Sequence, residues 1–566
     1  MMTSSLAPAL PLVVGALLTP IFRKRWVRSA YLMLLTLASL ANMWALPDGS
    51  SGEIALFSYT LTTIEVDRLS RIFGTIFHIA AFLNILYSFH VKDTLQQICG
   101  PMYAGAAIGA AFAGDLITLF VWWELTAIAS VFLIWARRTN RSYRAGMRYL
   151  IVQVASGVLL LAGAILYSRD TGTIAFEHMT LGSLATWLIF LAFGIKCAFP
   201  FFHNWLQDAY PEATVTGTVW LSAFTTKLAI YALARGFAGT DILIPIGATM
   251  AAFPIFFAVI ENDLRRVLAY SLNNQLGFMV VGIGVGTELA INGTAAHAFC
   301  HILYKALLFM SMGAVLYRTG TVKGSELGGL YKSMPWTTIF CCVGAASISA
   351  FPLFSGFVSK SLIQSATAEN HHTIVWLILL FASAGVFHHS GIKIPFFAFF
   401  AHDSGKRCKE APPNMLLAMG ITATLCIGLG CYPAPLYALL PYAVDYAPYT
   451  TSHVITQLQV LLFSALAFGF LQRTGIYPPE LRSTNLDTDV VYRHWLPTLW
   501  RHGSAVLSRT RATIVGAALA VIERLIQEIA RHHGPQGLMA RTWATGSLVF
   551  LGIIVMAAYL VLYLIL

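Results

Sequence analysis

The chain has 566 residues, of which 57% are hydrophobic and 11% charged, with a mean hydropathy of +0.70 and a net charge of +11. Soluble globular domains carry about 25% charged residues, so this balance excludes a water-soluble fold and points to an integral membrane protein. Nor is the positive charge a nucleic-acid footprint, because the arginines lie in short loops between apolar runs, where they set membrane orientation.

The apolar runs are continuous and near the roughly 20 residues that a spanning helix needs, unlike the alternating segments of membrane barrels. They predict an all-α polytopic membrane protein of about sixteen spans. The first three are 6–23, 29–46 and 69–90. Five follow at 98–113, 115–136, 143–167, 181–206 and 213–236, and five more at 241–259, 265–286, 290–317, 335–367 and 372–398. The last three are 413–435, 452–471 and 545–566. No basic residue precedes the first run, and Arg23, Lys24 and Arg25 follow it, which predicts a retained helix instead of a cleaved signal. Basic residues recur in the odd-numbered loops: Arg28 also in the first, Arg137, Arg138, Arg141 and Arg144 in the fifth, Arg265 and Arg266 in the ninth, and Lys406, Arg407 and Lys409 in the thirteenth. By the positive-inside rule both termini face the outer, periplasmic side.

The expected organisation starts with peripheral helices over 1–97, followed by two five-helix blocks over 98–236 and 241–398. Five is odd, so consecutive blocks lie in opposite orientations, an inverted repeat of the kind transporters use. The fourth helix of each block is broken by proline, KCAFPFFHNW around Pro200 and SAFPLFSGFVSK around Pro352, and the fifth carries a lysine, Lys227 or Lys393. Proline lacks an amide hydrogen, and broken backbone at membrane depth must face protein or a water-filled cavity. C-terminal core helices occupy 413–471, a polar, cytoplasmic or interfacial segment 472–544, and a terminal span 545–566. Within the polar segment, 504–531 has apolar positions at helical spacing with Arg509, Arg511, Arg524 and Arg531 among them. It is either a helix lying on anionic headgroups or an ordinary surface helix.

A charge at the bilayer centre costs roughly 2.5 to 3.5 kcal/mol, so ionisable residues inside spans are functional candidates. Lys196 and Lys227 lie near mid-span, and Glu124, in LFVWWELTAIASVFLIW, is the candidate partner of Lys196. Their ion pair is either a static pin or a switch whose strength follows a neighbour's protonation. In HAFCHILYKALLF, spacings of four put His297, His301 and Lys305 on one helical face, a row of titratable groups suited to passing protons through intervening water. No Glu follows the first His and no third ligand is evident, so no metal is predicted. Lys360 closes SGFVSK, while Lys393, in GIKIPFFAFF, is near enough to a helix end to snorkel. His203 and Asp208, in FFHNWLQDAYPEA, fit the inner mouth of the seventh span. His78 reads as a packed histidine, and His371, His372, His388 and His389 lie toward span ends, facing water or headgroups. The eight cysteines are scattered without a CxxC pair, and neither a disulfide framework nor an iron–sulfur or zinc module is indicated. With no P-loop, dinucleotide fingerprint, haem motif or hydrolase elbow, no cofactor and no catalytic residue is predicted, and energy must come from an ion gradient or a partner.

These stretches resemble the antiporter-like membrane subunits shared by respiratory complex I and the multisubunit Mrp-type cation/proton antiporters. WWELTAIASVFLIW is similar to the family's Glu-bearing fifth helix, FPFFHNWLQDAYPEATVTG to its broken seventh helix and following loop, and LRRVLAYSLNNQLGFM to its tenth. HAFCHILYKALLF and FPLFSGFVSK are similar to its histidine/lysine helix and second broken helix. The likeness runs over roughly 60–435 in motif order, and FFAFFAHDSGKRCKEAPPNMLLAMG and NLDTDVVYRHW look closest to the D-type subunits. The loop DAYPEATVTG displaces the usual proline, and the C-terminal region exceeds that of the shorter D-type subunits.

The resemblance implies a Glu124–Lys196 ion pair, Lys227 as connecting lysine, His297, His301 and Lys305 as central relay, and Lys360 as terminal exchange residue. It further implies a bacterial inner-membrane subunit that moves protons in exchange for Na+ or another monovalent cation, with other membrane subunits as partners. The alternatives are the proton-pumping arm of an NADH:quinone or hydrogenase-type oxidoreductase, and a scaffold whose membrane charges are only structural.

Overall fold

The computed structural model describes residues 6–481, 485–537 and 540–566, and its contacts divide the chain into Met1–Asn485 and Leu486–Leu566. Every one of the apolar runs contains helix. In chain order the first unit has α1 (Ala9–Leu17), α2 (Arg25–Ala45), α3 (Arg68–Tyr87), α4 (Thr94–Ala111), α5 (Leu116–Trp135) and α6 (Asn140–Thr171). Next come α7 (Leu184–Lys196), α8 (Asn204–Ala209), α9 (Gly217–Ala223), α10 (Thr225–Gly236), α11 (Leu243–Ile260) and α12 (Leu264–Val285). The unit continues with α13 (Glu288–Thr319), α14 (Pro335–Ile348), α15 (Ser355–Glu369), α16 (Thr373–Val386), α17 (Lys393–Pro395), α18 (Pro413–Cys431), α19 (Ala434–Ala438) and α20 (Thr451–Thr474). Ten helices among the described residues are long and apolar enough to cross a membrane; nine fall on expected spans and the tenth, Val491–His533, falls in the segment expected to be cytoplasmic or interfacial, while the other expected spans are shorter, more polar or broken. This is a multi-pass membrane protein.

The fold is not purely helical. Residues Gly49–Leu56 (β1) and Tyr59–Val66 (β2) form an antiparallel hairpin between α2 and α3. In TLTTIEV the two-residue period buries Ile64 and Val66 on one face, Leu61 is buried on the other, and Thr62 ties the strand to the α4–α5 corner, its amide donating to Asp115 Oδ2 at 2.8 Å and its carbonyl accepting from Gly114 at 3.0 Å.

Two stretches of the first unit share one design. The Asp115 and Asp263 side chains accept backbone amides at the starts of α5 and α12, and each aspartate forms an isolated strand bridge, with Ala175 and Lys323. Helices α6 and α13 each have 32 residues, begin after a capping threonine, Thr139 or Thr287, and end on a left-handed glycine, Gly172 or Gly320. The proline breaks match too. Ala198 and Ala350 have φ of 62° and 56°, and Phe201 and Leu353, one after each proline, have φ of 70° and 74°. In both, the alanine amide returns three residues and the following phenylalanine amide five, closing the helix as a Schellman motif with alanine where glycine is usual. Each such non-glycine residue costs about 1–2 kcal/mol, a strain of the kind that collects at functional sites.

Helix α13 lies at the centre, touching α3, α9, α10, α12, α14, α15 and α18. Small residues bring α11 and α12 together: a Cβ on Gly277 would stand 2.3 Å from the amide nitrogen of Ala251. The unit Leu486–Leu566 contains α21 (Leu496–His533) and α22 (Thr545–Ile565), both exposed along their length. The helix expected from 504 starts earlier because Pro497 suits a first turn, where its missing amide is not needed.

Candidate functional site

None of Lys196, Lys227, His297, His301, Lys305, Lys360 and Lys393 is more than 1% exposed, and Glu124 is half-buried. The charges sequence places in the spans therefore point into protein, where desolvation has to be offset by specific contacts.

Lys196 ends α7 one turn before the first break. Its Nζ donates to the Trp123 carbonyl at 2.5 Å and to Thr126 Oγ1 at 2.8 Å, under the Trp123 ring at 4.3 Å. The expected direct pair with Glu124 does not form, although the two charges stay within electrostatic reach. Trp123 and Thr126 occupy the ammonium, while the Glu124 carboxylate turns toward α6 and lies on Gly157; a Cβ there would be 1.5 Å from Oε1. That carboxylate oxygen has no hydrogen-bond partner among the described residues.

Lys227 sits just past an interruption at Phe224 that separates α9 from α10 without proline or glycine, and its Nζ donates to the Ser222 carbonyl at 2.6 Å. Cys197, next to Lys196, is within electrostatic reach of Lys227. This brings the two lysine neighbourhoods together.

On α13, the His297 ring meets Ser359 Oγ through Nδ1 at 3.0 Å and Gln275 Oε1 through Nε2 at 3.2 Å. Gln275 also accepts from the Tyr304 hydroxyl at 3.2 Å and donates to Asn274 Oδ1 at 2.6 Å. The His301 ring stacks near His297, centroids 6.1 Å apart, yet neither of its nitrogens has a partner among the described residues, and neither does Lys305 Nζ. Buried polar groups are almost always hydrogen-bonded, so these consecutive orphans set the row apart among the described residues. Lys305 is within electrostatic reach of both Lys227 and Lys360. Lys360, on α15, donates to the Ile348 carbonyl at the second break, 2.8 Å away, with its ammonium 5.2 Å from the Phe278 ring centroid.

The remaining expectations divide. Asp208 is held bidentately by Arg148, at 2.7 and 3.0 Å, and His203 packs edge-on against Phe253. Both are buried. His78 is the packed histidine expected, bonded to Ser39 and to the Gly74 carbonyl. His389, in contrast, is fully buried instead of facing water, and Lys393 forms a buried ion pair with Glu480 instead of snorkelling. Arg265 reads in sequence as a loop charge, but is 1% exposed and donates to the carbonyls of Tyr210, Ala213 and Thr214, clamping the loop after α8. Sequence did not single out Gln275, Asn274, Ser359 or Tyr304; the run of amides in LNNQLGF inside an apolar span is the signal that would have found the first two.

Comparison with known proteins follows this geometry. The family model described as NADH:quinone oxidoreductase/Mrp antiporter, TM, matches residues 113–388, which include both proline breaks. The D-type Na(+)/H(+) antiporter subunit of Alkalihalophilus pseudofirmus is 30% identical over 450 residues, 75% of this chain and 88% of that protein. Hydrogenase-4 component B of Escherichia coli is 25% identical over 422 residues, 66% of this chain, which spans 62% of that relative's length. Among solved structures, the Mrp complex from a Dietzia species superposes with a TM-score of 0.76 at 25% identity, covering 92% of this chain and 63% of its counterpart.

Proposed function

The chain belongs to the NADH:quinone oxidoreductase and Mrp antiporter family of membrane subunits, and from that premise we propose that it carries protons across a bacterial cell membrane in exchange for Na+ or another monovalent cation. It acts as one subunit of a multisubunit antiporter, with the two five-helix blocks in opposite orientations and both termini on the outer side. The observation that carries this reading is the enclosed row on α13, where His301 and Lys305 lie buried, without a hydrogen-bond partner among the described residues and within electrostatic reach of Lys227 and Lys360.

Each step is electrostatic. In a protein interior two unit charges 4 Å apart interact with about 4 kcal/mol at an effective dielectric of 20, so the protonation of one lysine governs its neighbours. A proton arriving near Lys196 is favoured by Glu124, and its charge disfavours a second one on Lys227. That proton is driven toward His301 and on to His297, whose Nε2–H donates to Gln275 Oε1 and whose Nδ1 faces the Ser359 hydroxyl, a group able to accept or donate. Lys360, with its ammonium on an open carbonyl of the break, is the exchange residue at the other end.

The test is the purified assembly reconstituted in vesicles, with internal pH followed after a Na+ step. Wild type moves protons; Lys196→Ala, Glu124→Ala and Lys360→Ala are expected to abolish that movement while the subunit remains inserted. Unchanged transport in these variants refutes the assignment. Similarity to hydrogenase-4 component B supports a second reading, a proton-pumping arm of a redox complex. Co-purifying iron–sulfur subunits, with proton movement driven by a reductant and not by Na+, would select it.

A further inference from the structure

The span Thr373–Phe400 leaves α geometry twice, winding into π turns over Phe387–Ile392 and Phe396–Phe400. Such turns appear mostly at functional sites, and their wider winding rotates every later side chain away from the face a regular helix gives it. His389 accordingly lies wholly inside the protein. Its Nδ1 is 2.9 Å from Ser390 Oγ, which donates to Ser271 Oγ of α12 at 2.8 Å, while Nε2 has no partner among the described residues. The ring is within electrostatic reach of Lys305, Lys360 and Lys393. The π turn also abuts the second break: a Cβ on Gly391 would be 2.3 Å from Ser349 Oγ, next to the Ile348 carbonyl that binds Lys360.

Four residues beyond His389, Lys393 lies against the C-terminal end of α11, donating to the Val259 carbonyl at 2.6 Å and the Glu261 carbonyl at 2.7 Å. It also pairs with Glu480 Oε1 at 2.8 Å, the two side chains being 0% and 6% exposed. Glu480 follows α20 in a segment fixed by Tyr477, whose ring stacks on His388 at 5.4 Å and packs on Phe397 and Phe468. Burial raises the Glu480 carboxyl above the usual range, against the pull of Lys393. The adjacent Leu481 is 59% exposed, so this carboxylate stands one residue from the surface.

We propose that His389, Lys393 and Glu480 form a proton-access branch that connects the buried row at Lys305 and Lys360 with water at the surface beside Glu480. In one passage the Lys393 ammonium gives a proton to the free nitrogen of His389, and the resulting amine is reprotonated by a Glu480 carboxyl that has taken a proton from water. The ion pair is then restored, and the imidazolium hands its proton on to the row.

This rests on the antiport reading, and the experiment separates the two. The reconstituted wild-type assembly, Lys360→Ala, Glu480→Asp, Glu480→Gln and His389→Phe are compared for Na+-driven proton movement and subunit retention. Expected is a loss of about tenfold or more in Glu480→Gln and His389→Phe, with Glu480→Asp faster than Glu480→Gln because aspartate can still carry a proton. A Glu480 that only pins Lys393 to the end of α11 gives the reverse order, since glutamine keeps the length and volume, and that order overturns the branch. Wild-type rates in His389→Phe and Glu480→Gln, with Lys360→Ala inactive, overturn it while leaving the antiport reading intact. A wild-type assembly that moves no protons ends both. If His389→Phe is lost from the assembly, the Asp-against-Gln order at position 480 still decides.

Discussion

Helices α6 and α13 are equal in length, capped alike at both ends, and opposite in chemistry along one face. At the tenth, fourteenth and eighteenth positions α6 has Tyr149, Gln153 and Gly157, where α13 has His297, His301 and Lys305. The neutral face receives charge from its neighbours: the Glu124 carboxylate of α5 lies on Gly157, in the position corresponding to the lysine of α13. The titratable face supplies its own. One backbone plan thus serves two roles, a cradle for charges brought by α5 and α7 and a carrier of charges along its own length.

Making α13 resemble α6 should have the largest effect. His301→Gln together with Lys305→Gly is expected to slow Na+-driven proton movement in vesicles about a hundredfold or more, the scale of a positioned proton carrier; a loss under threefold would mean that the two faces are interchangeable. Gly157→Ala makes the Glu124 carboxylate move, since the new methyl would overlap Oε1. A roughly tenfold slower exchange, about 1.4 kcal/mol, with normal subunit retention is expected, and an unchanged rate would show that the position of Glu124 is immaterial. Smaller still, Ala198→Gly and Ala350→Gly should each raise stability by up to about 1 kcal/mol, the left-handed penalty less the entropy of glycine. Thermal unfolding in detergent reads both, and a gain at one break alone would show that the breaks are not equivalent. The smallest effect is expected for Gln153→His, which adds a titratable ring to α6, whose neighbour Lys196 already donates to Trp123 and Thr126, and leaves the exchange rate within about twofold.

The spans were legible because lipid demands uninterrupted apolar length, and Pro200 and Pro352 marked the two breaks because a missing amide is visible in sequence. The interruption at Phe224 carries no such mark; TTK reads as helix, and tertiary packing decides it. Periodicity places His297, His301 and Lys305 on one face because α13 is regular, whereas His389 is misread from its place toward a span end, where no sequence mark announces the π turn that surrounds it. Charge type revealed that Glu124 and Lys196 belong to one neighbourhood, but not that Trp123 and Thr126 take the ammonium first. Arg265 illustrates the reverse error, a charge at a helix start that looked solvated and is enclosed. The β1–β2 hairpin was hidden by its brevity within a chain dominated by long apolar runs.

The Arg265 guanidinium has a mechanical consequence. Its Nη2, with two hydrogens shared among three main-chain oxygens, ties the loop after α8 to α12, and a bond from a charged donor is worth about 1.5–3 kcal/mol. Rocking the halves as rigid bodies, the usual way for a carrier to expose its cargo alternately to each side, would have to tear this rivet. On the antiport reading, proton passage by swings of individual side chains is the motion that leaves this rivet in place.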